Sequence, residues 1–321
     1  MPDEAQSPAP PTPLAGLVIT LIGVVGFAGW IALGLTLLGS MRGFQLAEEL
    51  NAAPQRTYFR AAIAFLLSFT PLGGLGLRYL EHEPASAGTV AEIDSLRTRA
   101  IVELHRGNLD RATANAAHAV KLAREQRDDF ALMSSLLQQE LSLVEQEDFP
   151  QVLVVCREME RLAAVAQNPR YMVVAMMGQL GAHVRSGRYE QAEEVFARTG
   201  AHHSREVGAV PESVLFGLAA VSALRLGDRQ GARQRADRSL DAVLRARWPL
   251  LQLRYALIGI LEVYLDPDRP DGEKASALAP ASERTDQALR SLRLNALQFA
   301  SMRAISALYH ARHTMLCGHT A

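Results

Sequence analysis

The sequence is poor in cysteine and aromatic residues and has almost no net charge. Two cysteines in 321 residues exclude a disulfide framework. The 33 Lys+Arg against 34 Asp+Glu leave a formal net charge of -1, so the basic excess typical of nucleic-acid binding is missing. Aromatic residues make up 6% of the chain and hydrophobic residues 49%, so Ala, Leu and Val must build the core. This composition favours closely packed helices and predicts an all-α protein with no nucleic-acid partner.

Two apolar runs near the N-terminus predict a membrane region over residues 14–80. Residues 1–13 are rich in proline and are expected to be disordered. Residues 14–40 carry no charged side chain. This uncharged run is longer than the ~20 residues that a membrane-spanning helix needs. A shorter run over 61–77 lies between Arg60 and Arg78, with Tyr58 and Tyr79 beside them, and predicts a second, kinked span over about 61–79. Together the two spans would form a transmembrane helical hairpin.

Other interpretations of both runs stay open. The first could be a cleavable signal peptide, although Asp3 and Glu4 precede it where a signal peptide would carry basic residues. The second contains Pro71 and several glycines, so it could instead be re-entrant or lie on the membrane surface. Small residues recur every fourth position in the first span and suggest close packing against a second helix, in a hairpin or a homo-oligomer. They are Ala28, Ala32, Thr36 and Ser40.

Charge around the runs predicts an orientation. Arg42, Arg56 and Arg60 lie between the two predicted spans, whereas the N-terminal tail has no Lys or Arg. The positive-inside rule places this loop in the cytoplasm. With two spans, residues 81–321 would then lie outside the cytoplasm, and the expected location is a bacterial inner membrane. If the second run does not cross, the large domain moves to the cytoplasm.

Residues 81–321 show helical periodicity and an internal repeat of 40 residues. Glycine precedes alanine by five positions in three segments, "HRGNLDRA", "RSGRYEQA" and "RLGDRQGA". A fourth copy, "EQEDFPQV", has Glu147 at the glycine position. Such a period indicates stacked helix pairs, in which glycine ends one helix and a small residue permits close packing of the next. The repeat positions are Gly107, Ala112, Gly187, Ala192, Gly227 and Ala232.

These segments resemble the tetratricopeptide repeat (TPR). "GNLDRATANAAHAV" and "GRYEQAEEVFARTG" are similar to the turn and second helix of that family, over about residues 88–265. The period is longer than usual, and Glu140 and Leu180 stand where the family has a small residue in its first helix. A related helix-pair solenoid therefore stays open. The resemblance implies a TPR-like α-solenoid of about five helix pairs, with irregular capping helices at its C-terminal end.

A series of basic residues is the main candidate for partner binding. His105, Arg185 and Arg225 each stand two residues before a repeat glycine, and Glu145 interrupts the series. The TPR resemblance implies that this position faces a concave groove, where arginine could pair with a peptide carboxylate. The alternative is that a cation in the last turn only complements the helix dipole. The predicted partner-binding residues are Arg97, His105, Arg185, Arg225 and Arg254.

No catalytic or cofactor motif is present, so neither an enzyme nor a cofactor is expected. His310, His313 and Cys317 share one helix face, but they match no zinc-finger spacing and no metal is expected there. The sequence predicts a membrane-anchored interaction scaffold whose solenoid binds a protein or peptide. The alternative is a structural or assembly subunit of an integral membrane complex.

Overall fold

The computed structural model describes residues 35–50, 53–68, 73–81, 90–199, 208–246, 252–266, 278–299 and 302–317. Within these ranges the regular structure is helical throughout, with no strand. The helices are α1, described over 35–49, then α2 Ala53–Ser68, α3 Gly73–Glu81, α4 Val90–His105, α5 Leu109–Gln126, α6 Asp129–Glu145, α7 Phe149–Val165, α8 Pro169–Arg185, α9 Tyr189–Thr199, α10 Ala209–Arg225, α11 Arg229–Arg245, α12 Leu253–Tyr264, α13 Leu278–Gln298 and α14 Met302–Leu316. The predicted all-α class is confirmed.

Helices α4 to α13 form five consecutive pairs that stack as a solenoid. Each pair consists of a first helix (α4, α6, α8, α10 and α12) and a second helix (α5, α7, α9, α11 and α13). Contacts run within pairs and between successive first helices, for example from α8 to α10 and from α10 to α12. Asp129, Pro169 and Ala209 begin successive first helices and are 40 residues apart, as the repeat predicts.

The turn within each pair explains the glycine register. Gly107, Gly187 and Gly227 have φ values of 80°, 71° and 87°, in the left-handed region that glycine enters without a steric penalty. Glu147 takes the same place in the second pair, with a φ of 60°. At the first turn, the Asn108 N–H donates to the Glu103 carbonyl at 2.9 Å, which closes the helix end.

Small residues of the second helices lie in the core, as predicted. Ala112, Ala192 and Ala232 are fully buried, and so is Cys156. Polar side chains cap the N-termini of several helices. At the start of α6, the Asp128 side chain accepts a 2.9 Å hydrogen bond from the Ala131 N–H. The sequence therefore specifies where helices begin, end and approach each other.

The second predicted span, over 61–79, is divided into two helices near Pro71, and neither of them is long and apolar enough to cross a membrane. Its residues belong to α2, which ends at Ser68, and to α3, which begins at Gly73. Both helices pack against α4, and the Arg99 guanidinium of α4 donates to the Leu80 carbonyl oxygen at 2.8 Å. The run is apolar because residues such as Ala64 are buried against the chain itself.

Arg60 and Tyr79, predicted as membrane-interface residues, contact one another instead. The Arg60 guanidinium lies 5.4 Å from the centre of the Tyr79 ring and 5.0 Å from that of Phe44 in α1. This cation–π stack joins α1, α2 and α3. None of the helices in the described part of the chain has the length and apolar character needed to cross a membrane.

Most of the first predicted span lies outside the described residues, including Ala28 and Ala32. Thr36 and Ser40 belong to α1, where Thr36 is exposed and Ser40 half-buried. The contact of α1 with α2 uses Gly43, where an added Cβ atom would lie 2.5 Å from the Phe59 ring.

Candidate functional site

Four of the five predicted partner-binding residues lie at the ends of first helices, and Arg97 lies in the middle of α4. His105, Arg185 and Arg225 are the last residues of α4, α8 and α10, and Arg254 is the second residue of α12. Side chains from first helices that are not neighbours in the stack meet here. We call the surface on which these side chains meet the inner surface.

Arg254, Tyr255 and Glu145 form a cluster across the inner surface. The Tyr255 hydroxyl donates to a Glu145 carboxylate oxygen at 2.7 Å, and the Arg254 guanidinium forms an ion pair with the same carboxylate. Arg254 is only 7% exposed, so its charge depends on this partner. Burial raises the pKa of Tyr255, which keeps its hydroxyl protonated and able to donate. The cluster ties α12 to α6, past α8 and α10.

Arg185 lies beside this cluster and connects α8 to α6, α7 and α12. Its guanidinium donates to the Val144 carbonyl oxygen at 3.0 Å and to a Glu147 carboxylate oxygen at 2.9 Å. The same group lies 5.1 Å from the centre of the Phe149 ring and 5.9 Å from that of Tyr255. Two aromatic faces and two acceptors hold the arginine in a fixed orientation.

The other predicted binding residues also contact the chain itself. The Arg225 guanidinium lies 3.3 Å from a Glu262 carboxylate oxygen of α12, and the His105 ring centre is 5.6 Å from that of Phe299. Arg97 pairs with Asp94 of its own helix at 2.8 Å. Whether these five residues bind a partner stays a prediction. Sequence reasoning missed Tyr255, and it treated Glu145 as an interruption although this carboxylate is the partner of Arg254.

A second unexpected feature is a buried carboxyl group between α6, α7 and α8. Glu140 is 5% exposed and its Oε2 atom has no hydrogen-bond partner. Burial raises the pKa of Glu140 to about 8, so the group is largely protonated at neutral pH. Burial, followed by the nearby charges of Glu140 and Glu160, also raises the pKa of the Cys156 thiol, which makes the cysteine a packing residue and not a nucleophile.

The C-terminal histidines and cysteine do not assemble into a metal centre in the described structure. Cys317 Sγ and His313 Nε2 are 3.5 Å apart. His310 is half-buried, and burial lowers its pKa. Across the residues with described positions, no group of three or more His, Cys, Asp or Glu side chains could hold a metal ion.

The stacked helix pairs and their inner surface define the class of protein: a TPR-like helical-repeat solenoid. No protein-family model and no curated protein matches the sequence. Among solved structures, the chain is similar to one described as Rap protein complexed with competence and sporulation factor. The TM-score is 0.62 at 14% sequence identity, over 87% of this chain and 82% of that one. At this identity the likeness concerns the fold alone.

Proposed function

We propose that the chain is a binding protein whose solenoid holds a protein or peptide partner on its inner surface. The observation that carries the proposal is the set of arginines that first helices bring to this surface, with Arg185 oriented by two aromatic rings. The similar Rap protein was solved in a complex with competence and sporulation factor, which supports a binding role for such a fold.

The mechanism we propose is an exchange of carboxylates. In the described structure the exposed Glu147 pairs with Arg185. An acidic side chain or C-terminal carboxylate of a partner can replace Glu147, because arginine binds any carboxylate through the same two-pronged geometry. The buried pair of Glu145 and Arg254 stays in place and holds the surface together. The rigid helix stack lowers the ordering cost of binding, since the arginines are already in place.

Variants of the inner surface test this proposal. We expect Arg185→Ala and Arg225→Ala to reduce the amount of partner that the immobilised full chain retains from an extract of its source cells. The matched control is Lys121→Ala, because Lys121 is an exposed cation on the second helix α5. Circular dichroism should show the same helix content in all variants. Equal retention by the wild-type chain and the double variant Arg185→Ala/Arg225→Ala would contradict the proposal.

We also propose that residues 14–40 anchor the chain in a bacterial inner membrane, because they form a run without charged side chains. Since residues 61–79 form two helices that pack on α4, the anchor would be a single span. Arg42 and the solenoid then share one side, and the positive-inside rule favours the cytoplasm over the extracytoplasmic placement expected for two spans. Reporters fused after Ala321, each active on one side only, test this: activity outside the cytoplasm contradicts it.

A further inference from the structure

A groove on the outer side of the solenoid forms between α7 and α9. It contains a cavity of about 520 Å³ lined by residues of α7, α8 and α9. The lining residues are Arg157, Glu160, Arg161, Ala164, Met172, Met176 and Arg198. A volume in this range accommodates a ligand or a few side chains of a bound peptide. The groove uses none of the residues that form the inner surface.

Residues of α8 and α9 form the floor and one side of the groove. The Arg198 guanidinium of α9 reaches Gln179 of α8 at 3.2 Å. Met172 and Met176 lie one to two turns before Gln179 on α8, and they form the apolar floor of the cavity.

The groove carries excess positive charge. The Glu160 carboxylate is already engaged: it accepts hydrogen bonds from Arg198 at 3.0 Å and from Gln179 at 2.6 Å. Arg157 and Arg161 are exposed, and neither has a hydrogen bond or ion pair with a described residue. No described residue of the groove therefore cancels the charge of these two arginines.

The outward face of α7 extends this surface beyond the cavity. Val154, Arg157, Arg161 and Val165 follow one another at helical spacing of three and four residues, so they share one face. Val154 is 56% exposed and Val165 is 75% exposed. The face covers about 17 Å along the helix, given a rise of ~1.5 Å per residue. Exposed apolar and basic side chains over this length match a peptide segment better than a single small anion.

We propose that the groove between α7 and α9 binds an acidic segment of a partner protein. Carboxylates of the segment pair with Arg157 and Arg161, and one apolar side chain enters the cavity above Met172 and Met176. Arginine favours carboxylates because its planar group forms two parallel hydrogen bonds. This site goes beyond the inner-surface function, because it lies on other helices and can operate whether or not the inner surface is occupied.

Selection from a library of random twelve-residue peptides displayed on phage tests the proposal on the full chain. We expect the enriched peptides to share two or more Asp or Glu residues beside a Leu or Met. A synthetic peptide of the enriched sequence should bind the double variant Arg157→Glu/Arg161→Glu at least ~10-fold more weakly than it binds the wild type. The variant loses two charge-assisted hydrogen bonds, and its new carboxylates repel those of the peptide. The milder Arg157→Gln/Arg161→Gln should show a smaller loss in the same direction.

The control Lys121→Glu/Arg303→Glu changes net charge by the same amount at exposed positions of α5 and α14, and its affinity should stay within ~2-fold of wild type. Equal weakening by this control would overturn the proposal, because the attraction would then be non-specific. Enriched peptides without acidic residues would also overturn it. If Arg185→Ala/Arg225→Ala abolished binding while Arg157→Glu/Arg161→Glu did not, the peptide would bind to the inner surface. That result would reject the outer groove and support the first proposal.

Discussion

Tyr255 and Glu145 are 110 positions apart in the sequence and are joined by a 2.7 Å hydrogen bond. The bond connects the first helix of the fifth pair to that of the second. Arg254 adds an ion pair to the same carboxylate, so one glutamate satisfies two donors from α12. This contact makes the inner surface a closed network and not an open row of cations.

We predict that Glu145→Gln destabilises the protein strongly. The change leaves the buried Arg254 guanidinium without a counter-charge, which costs about 3–5 kcal/mol in the free energy of unfolding. The double variant Glu145→Leu/Arg254→Met removes both charges and should recover most of this loss. Urea unfolding followed by circular dichroism measures both variants. A loss below ~1 kcal/mol for Glu145→Gln would show that the ion pair does not hold α12 to α6.

We predict a pH-dependent stability that depends on Glu140. Its pKa is about 8 in the folded chain against an ordinary value of 4.5. Because the folded pKa is raised, the folded state favours the protonated form. The contribution is fully present below pH 4.5 and is lost as the pH rises through 8.

The variant Glu140→Gln keeps the shape of the protonated side chain and cannot ionise. We expect it to match the wild type near pH 5 and to exceed it by on the order of a few kcal/mol at pH 9, given about 1.4 kcal/mol for each pKa unit. Unfolding midpoints in urea from pH 5 to pH 9 give this difference. The exposed Glu125→Gln serves as the control, and a wild-type curve parallel to that of Glu140→Gln would contradict the prediction.

We predict opposite effects for two alanine substitutions in α8. At Gly178 an added Cβ atom would lie 2.5 Å from Cys156 Sγ and 2.9 Å from Glu140 Oε1, so Gly178→Ala should cost about 1–3 kcal/mol. At Gly181 the nearest atom would be a Leu218 methyl carbon at an ordinary 3.5 Å. Gly181→Ala should therefore stabilise the helix by about 0.5–1 kcal/mol. Thermal unfolding midpoints compare the two, and a stabilised Gly178→Ala would contradict this packing.

The sequence predicted the repeat well because its turn is a local structure. The residue after each first helix takes a left-handed conformation, which glycine adopts without the steric cost that other residues have. Gly107, Gly187 and Gly227 therefore show the period of the repeat. The placement of Glu147 in the same conformation was also predictable, since the other three copies fix the register. These features depend on neighbours within a few residues.

The contacts across the stack could not be predicted from the sequence. Glu145 meets Tyr255 because the stack brings the second and fifth pairs together, and that arrangement depends on contacts between residues far apart in the sequence. The apolar run over 61–79 was misassigned for a related reason. Residues such as Ala64 and Leu77 are apolar enough for a lipid environment, but they are buried against neighbouring helices instead.

The bond between Tyr255 and Glu145 also changes how the solenoid should come apart. In a simple repeat array each unit contacts only its neighbours, so the ends can unravel one unit at a time. Here a link from the fifth pair to the second encloses the two pairs between them. These four pairs should therefore exchange their amide hydrogens with solvent as one cooperative unit.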